Sequence, residues 1–137
     1  MISNPKDGWC NFHIGDFYGT PSYTTNVPLD LMQAFIDYGN FGEGVAWFDE
    51  KGSSFTLVLS QDGVFVIHIT KEAKTEFYEA TEPVDALKKE LVRDIKGHFD
   101  DWAKFDFDAC FLEGQNGINA RNTNRYRLRN KLEELKR

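Results

Sequence analysis

The chain has 137 residues, 41% of them hydrophobic and 15% aromatic, which is enough for one sizeable core and too apolar for a disordered polymer. No apolar run approaches the roughly 20 residues of a membrane-spanning helix, and Met1 to Asp7 lacks the basic-then-apolar build of a signal peptide. The expectation is a single cytoplasmic domain over residues 1–137 with no membrane partner.

The net charge of −6 hides a division. Residues 1–50 carry seven acids and one base, Lys6, whereas 121–137 carry seven bases against Glu133 and Glu134. The tail is thus +5 and the remaining body, 1–120, is −11. An asymmetry of this kind bears on partners and solubility rather than on fold.

Taken in order, Trp9 to Ile14 alternates with Cys10, Phe12 and Ile14 on one face, the two-residue period of a strand. Gly15 to Pro21 supplies turn residues, and Ser22 to Thr25 reads as the return of an N-terminal hairpin. Pro28 and Asp30 mark a helix start, Leu31, Met32, Phe35 and Ile36 form its apolar stripe, and Gly39-Asn40 stops it.

From Gly44 to Thr81 three apolar runs are separated by polar, Gly-bearing turns at Asp49–Ser53 and Gln61–Gly63, the pattern of a β-meander. Phe55, Leu57 and Leu59 share one face of its second strand. Val64 to Ile69 is apolar on both faces, which suits a central strand covered on two sides. Glu76 to Glu79 reads as a charged edge strand.

Thr81, Pro83 and Asp85 open what reads as the longest helix, with Val84, Leu87, Leu91, Ile95, Phe99 and Trp102 in one stripe and a break expected at Gly97. Phe105 and Phe107 alternate with Asp106 and Asp108, predicting a strand reaching Leu112. Glu113 to Asn124, dense in Gly and Asn, reads as a loop. A basic C-terminal helix over 121–137 follows, its Leu128, Leu132 and Leu135 docked on the acidic body. The fold class is α+β: an antiparallel meander of five to six strands with two to three helices packed on it.

No catalytic signature emerges. His13, His68 and His98 lack the spacing that seats a metal on a helix, and there is no nucleophile elbow or phosphate loop. Gly39, Gly42 and Gly44 follow a helix and precede a strand, the reverse of a phosphate cradle. Cys10 and Cys110 read as buried free thiols, joined only if the fold brings them together. No metal and no cofactor are expected. Asp100 and Asp101 with Asp106 and Asp108 could pair for acid–base work, although adjacent acids more simply form a solvated face.

The binding candidates lie in the acidic, aromatic first half. Asp16, Tyr18 and Tyr23 belong to the hairpin, and Asp37, Glu43, Asp49 and Glu50 surround the following helix and turn. Aromatic anchors among acids suit a basic protein partner, through steered association and buried contacts. The other open readings are a nucleic-acid or phosphate-ligand module using the Arg-rich tail, which the acidic body opposes, and a small enzyme assembled from scattered His and Asp residues.

The chain opens with Gly8-Trp9, Phe12-x-Ile14-Gly15, Ser22-Tyr23 and Val27-Pro28-Leu29-Asp30-Leu31. These, with its size, charge and α+β build, resemble bacterial toxin-immunity proteins, which neutralise a co-encoded toxin by covering its active site. The resemblance implies steric and electrostatic blockade of a basic partner such as a nuclease toxin. It carries over no functional residue.

Overall fold

Asp7-Gly8, with both residues at positive φ (54° and 84°), folds the N-terminus into a two-residue hairpin that joins β1 (Ile2–Lys6) to β2 (Trp9–Ile14). The fold is that of a computed structural model describing residues 1–105 and 112–137. The first element expected from sequence is at Trp9, and β1 before it carries Pro5, which cannot donate to a ladder. Pro5 is accommodated because the register shifts between Ser3 and Lys6 on an edge strand. Gly15-Asp16 alone closes the next turn, so the return strand β3 is Phe17–Gly19 rather than Ser22–Thr25. Ser22 keeps a single bridge to Trp9.

Helix α1 (Val27–Phe41) starts as its sequence requires. The Asn26 side chain accepts the Leu29 N–H at 3.4 Å, and Pro28 stands in the first turn. It runs through Gly39 and ends at Gly42, whose φ of 82° lets its N–H close on the Tyr38 carbonyl at 2.8 Å.

The meander follows as β4 (Glu43–Asp49), β5 (Ser54–Ser60), β6 (Gly63–Ile69) and β7 (Thr75–Ala80), a four-stranded antiparallel sheet in sequential order. The strands divide between this sheet and the three-stranded β1-β2-β3 sheet. The described residues thus hold seven strands in two sheets, against the five to six expected in one.

Ala46, Phe48, Phe55, Leu57, Leu59, Val64 and Val66 point to the inner face and are buried. Two elements cover them. Helix α1 lies so close to β4 that a Cβ on Gly44 would fall 1.9 Å from the Ala34 carbonyl oxygen. The β2–β3 hairpin stacks Phe12 and Phe17 on Phe55, with ring centroids 4.9 and 4.8 Å apart. The outer face is different. Among the described residues no element covers it, so β6 is buried on one face and not two, and Phe65 and Ile67 remain half-buried.

Helix α2 (Val84–Gly97) buries Leu87, Leu91 and Ile95. Its N-cap is Pro83, with no side-chain cap from Thr81. The break expected at Gly97 occurs at His98, where φ is −137° and ψ 43°, and α3 (Phe99–Ala103) follows with Trp102 fully buried. The expected strand through Phe107 to Phe111, and Cys110 with it, lie outside the described residues.

The longest helix is α4 (Gly114–Leu135), 22 residues against 14 in α2. It runs through the segment that reads as a loop. Tertiary contact overrides propensity there. Asn124 is buried, its Oδ1 accepting from Asn26 Nδ2 at 2.7 Å and its Nδ2 donating to the Ala103 carbonyl at 2.9 Å. Gly117 leaves no room for a Cβ, which would fall 2.3 Å from the Leu112 carbonyl oxygen. Leu128, Leu132 and Leu135 are buried as expected, and the apolar residues buried in both sheets and in the four described helices, against the two to three expected, form one cluster. Among the described residues no helix is long and apolar enough to cross a membrane.

Candidate interaction surface

Strand alternation that drives one set of side chains inward must present the other set outward, and in this meander both sets are rich in apolar residues. Cross-strand register arranges the outer set in rows. Trp47, Thr56, Ile67 and Phe77 face one another in sequence across all four strands. Beside them run Val45, Val58, Phe65 and Glu79. Residues directly opposite approach to about 5 Å between Cβ atoms, so each row is continuous. Three inter-strand spacings make the ground roughly 15 Å wide.

Trp47 is 51% exposed, Val45 58% and Phe77 73%. Large apolar ground left open on a folded domain is the ordinary mark of an interaction surface. The only charged residues on the outward positions of these strands are Glu43, Asp49 and Glu79; no Lys or Arg stands among them.

The residues singled out from sequence fall in four places. Glu43 and Asp49 stand on the outer face with Val45 and Trp47, as their spacing along β4 requires. Asp37 is on α1, behind the sheet, where its carboxylate accepts from Gln33 Nε2 at 2.8 Å and Lys131 Nζ donates to Gln33 Oε1 at 2.6 Å. Tyr18 lies on β3 of the other sheet, Asp16 in the turn before it and Tyr23 in the turn that leads to α1. Asp16 is exposed at the β2–β3 turn, Tyr18 stacks on His13 with centroids 4.2 Å apart, and Tyr23 lies half-buried against Gly8.

Glu50 is an internal acceptor, its side chain 12% exposed. The Thr20 N–H donates to its Oε2 at 2.8 Å and the Ser53 hydroxyl to its Oε1 at 3.1 Å. His68 Nε2 lies 3.2 Å from the same Oε1, while His68 Nδ1 lies 3.0 Å from Glu76 Oε1. An imidazole can donate to both carboxylates only as the imidazolium. This chain of contacts ties the loop after β3 to β6 and β7 and gives the histidine a structural duty. The two carboxylates sit on opposite ring nitrogens and share no common point. Among the described residues no group of three or more His, Cys, Asp or Glu could hold a metal ion.

Cys10 is a free, buried thiol that burial pushes up to about 12, which removes it as a nucleophile at physiological pH. The basic helix is partly neutralised within the chain. Arg125 pairs with Asp100 at 3.0 Å, Lys131 with Glu134 at 3.4 Å and Lys136 with Glu133 at 3.4 Å.

Sequence reading locates two of the three outer acids and none of the apolar anchors. The signal was present in Val64 to Ile69, which is apolar on both faces. What was missing was the knowledge that α1 and the β2–β3 hairpin lie on the same side. No family model matches the chain, and neither the curated proteins nor the solved structures contain a match to it.

Proposed function

We propose that this chain is a cytoplasmic inhibitor of the immunity type, which docks a basic protein partner such as a toxin on the outer face of the meander. The observation that carries the reading is the apolar row from Trp47 to Phe77, open to solvent and accompanied by Glu43, Asp49 and Glu79 alone. A buried aromatic anchor contributes about 1.5–3 kcal/mol of transfer free energy, so two or three of them supply a usable centre. The acids steer a cationic surface and fix its orientation. A second copy stacked on the same face would set acids against acids, which favours a partner of opposite charge.

Inhibition on this reading is occlusion: the outer face of the sheet covers a cationic catalytic surface, and its acids pair with lysines and arginines there. The experiment is growth rescue in cells expressing the toxic product of an adjacent reading frame. The native chain should restore growth, and Trp47→Glu with Phe77→Glu should not. Rescue by that double variant, or adjacent genes with no toxic product, would remove the proposal.

A further inference from the structure

A second open surface lies on the opposite side of the protein, among the helices. Three hollows of about 360, 450 and 350 Å³ follow one another around the last two turns of α4. The first two share Lys88 and Leu135, and Lys136 belongs to the second and third, so they form one seam between α2 and α4. Its floor is apolar, from Phe35 and Ile36 of α1, Val92 of α2 and Leu132 and Leu135 of α4. Its walls carry Lys88, Lys89, Lys96, Arg129, Lys136 and Arg137 against Asp85, Glu133 and Glu134. This local excess of three positive charges stands on a protein of net charge −6.

We propose that the seam is a docking groove for an acidic amphipathic helix of a protein partner, independent of the surface on the meander. Charge complementarity selects the sign of the occupant. Among the described residues Lys88, Lys89, Arg129 and Arg137 have no acid within ion-pair distance. The charge of the Lys136 ammonium beside it holds Lys96 below the ordinary lysine range, so the two cations leave this wall open to a carboxylate.

The interleaved acids select the class of occupant. A uniformly charged polyanion would meet Asp85, Glu133 and Glu134 along its whole length, whereas a helix can place carboxylates opposite the lysines alone. The hollows take apolar side chains at i, i+3 and i+4, the usual helix-in-groove arrangement. From Lys88 to Lys96 the groove spans about 12 Å, or two helical turns.

The probe is a fluorescein-labelled 14-residue helical peptide with leucines at i, i+3 and i+4 and glutamates elsewhere, titrated into the full chain. Saturable binding is expected, with amide shifts at Val92 and Leu135 and affinity that falls as salt rises. Lys89→Glu with Lys96→Glu should weaken it at least about ten-fold. Trp47→Glu with Phe77→Glu should leave it intact, which separates this groove from the meander surface. No saturation up to about 1 mM peptide, the weakest useful affinity, contradicts the proposal. So does equal binding of the lysine-for-glutamate peptide, affinity unchanged in the Lys89/Lys96 variant, or inorganic polyphosphate binding where the peptide does not.

Discussion

The inner and outer faces of the four-stranded sheet are made from the same strands and much the same residue types, yet their roles differ. On the inner face Phe48, Phe55, Leu57 and Leu59 are sealed under α1 and the β2–β3 hairpin. On the outer face Val45, Trp47 and Phe77 meet water. An apolar side chain stabilises a fold only to the extent that the fold removes it from solvent. The inner face therefore holds the protein together, and the outer face is left available to a partner. Composition does not distinguish the two; the position of the covering layer does.

The largest effects should come from the inner face. Phe55→Ala deletes a ring that touches Phe12, Phe17 and Phe48, and about 3–5 kcal/mol of stability should be lost in urea denaturation. Gly44→Ala should be comparably severe, because α1 must move off β4 to admit the methyl group. An unchanged urea midpoint in Gly44→Ala would contradict the closeness of α1 to the sheet, and one in Phe55→Ala the packing of the β2–β3 hairpin on it.

Next comes the linkage of α4. Asn124→Ala leaves the Ala103 carbonyl and Asn26 Nδ2 without their buried partner, at a cost of about 1–3 kcal/mol. Residue-resolved amide hydrogen exchange should show protection lost from α4 rather than from α2. The same substitution in a loop, as the sequence alone suggests for this segment, would cost almost nothing.

On the outer face, Trp47→Ala and Phe77→Ala should each shift stability by no more than about 0.5 kcal/mol, as for an exposed site. Partner affinity should fall by about ten-fold or more per anchor. A large stability loss instead would show that something covers this face.

The smallest effect concerns Cys10. Its thiol is raised from an ordinary 9.0 to about 12 by burial, so the folded state disfavours the thiolate. Alkylation of Cys10 in the native protein, followed by peptide mapping, should stay flat from pH 7 to 9. In urea it should rise across that range as the thiol ionises. The linkage carries a sign as well: as pH climbs past the unfolded value, the unfolded chain releases a proton that the fold retains, so stability declines.

Much of the meander is legible in the residues. Its turns at Asp49–Ser53 and Gln61–Gly63, the shared face of Phe55, Leu57 and Leu59, and the break after Gly97 all follow local rules that tertiary structure respects. Three features escape those rules. Strand β1 is hidden by Pro5, which cannot donate to a ladder and which an edge-strand irregularity accommodates. The first half of α4 is hidden by its Asn and Gly residues, whose helical state depends on the buried Asn124 amide reaching Ala103 and, 98 positions away, Asn26. The candidate surface is hidden for a related reason. Glu43 and Asp49 stand out by charge, but Trp47 and Phe77 look like core until the covering elements are placed.

The most direct test pairs function with stability in one variant. Trp47→Glu with Phe77→Glu is introduced into the native chain, and its ability to restore growth against the toxic product proposed for an adjacent reading frame is measured alongside its urea midpoint. Loss of rescue with an unchanged midpoint is the predicted outcome. Full rescue at an unchanged midpoint would contradict the assignment of the outer face.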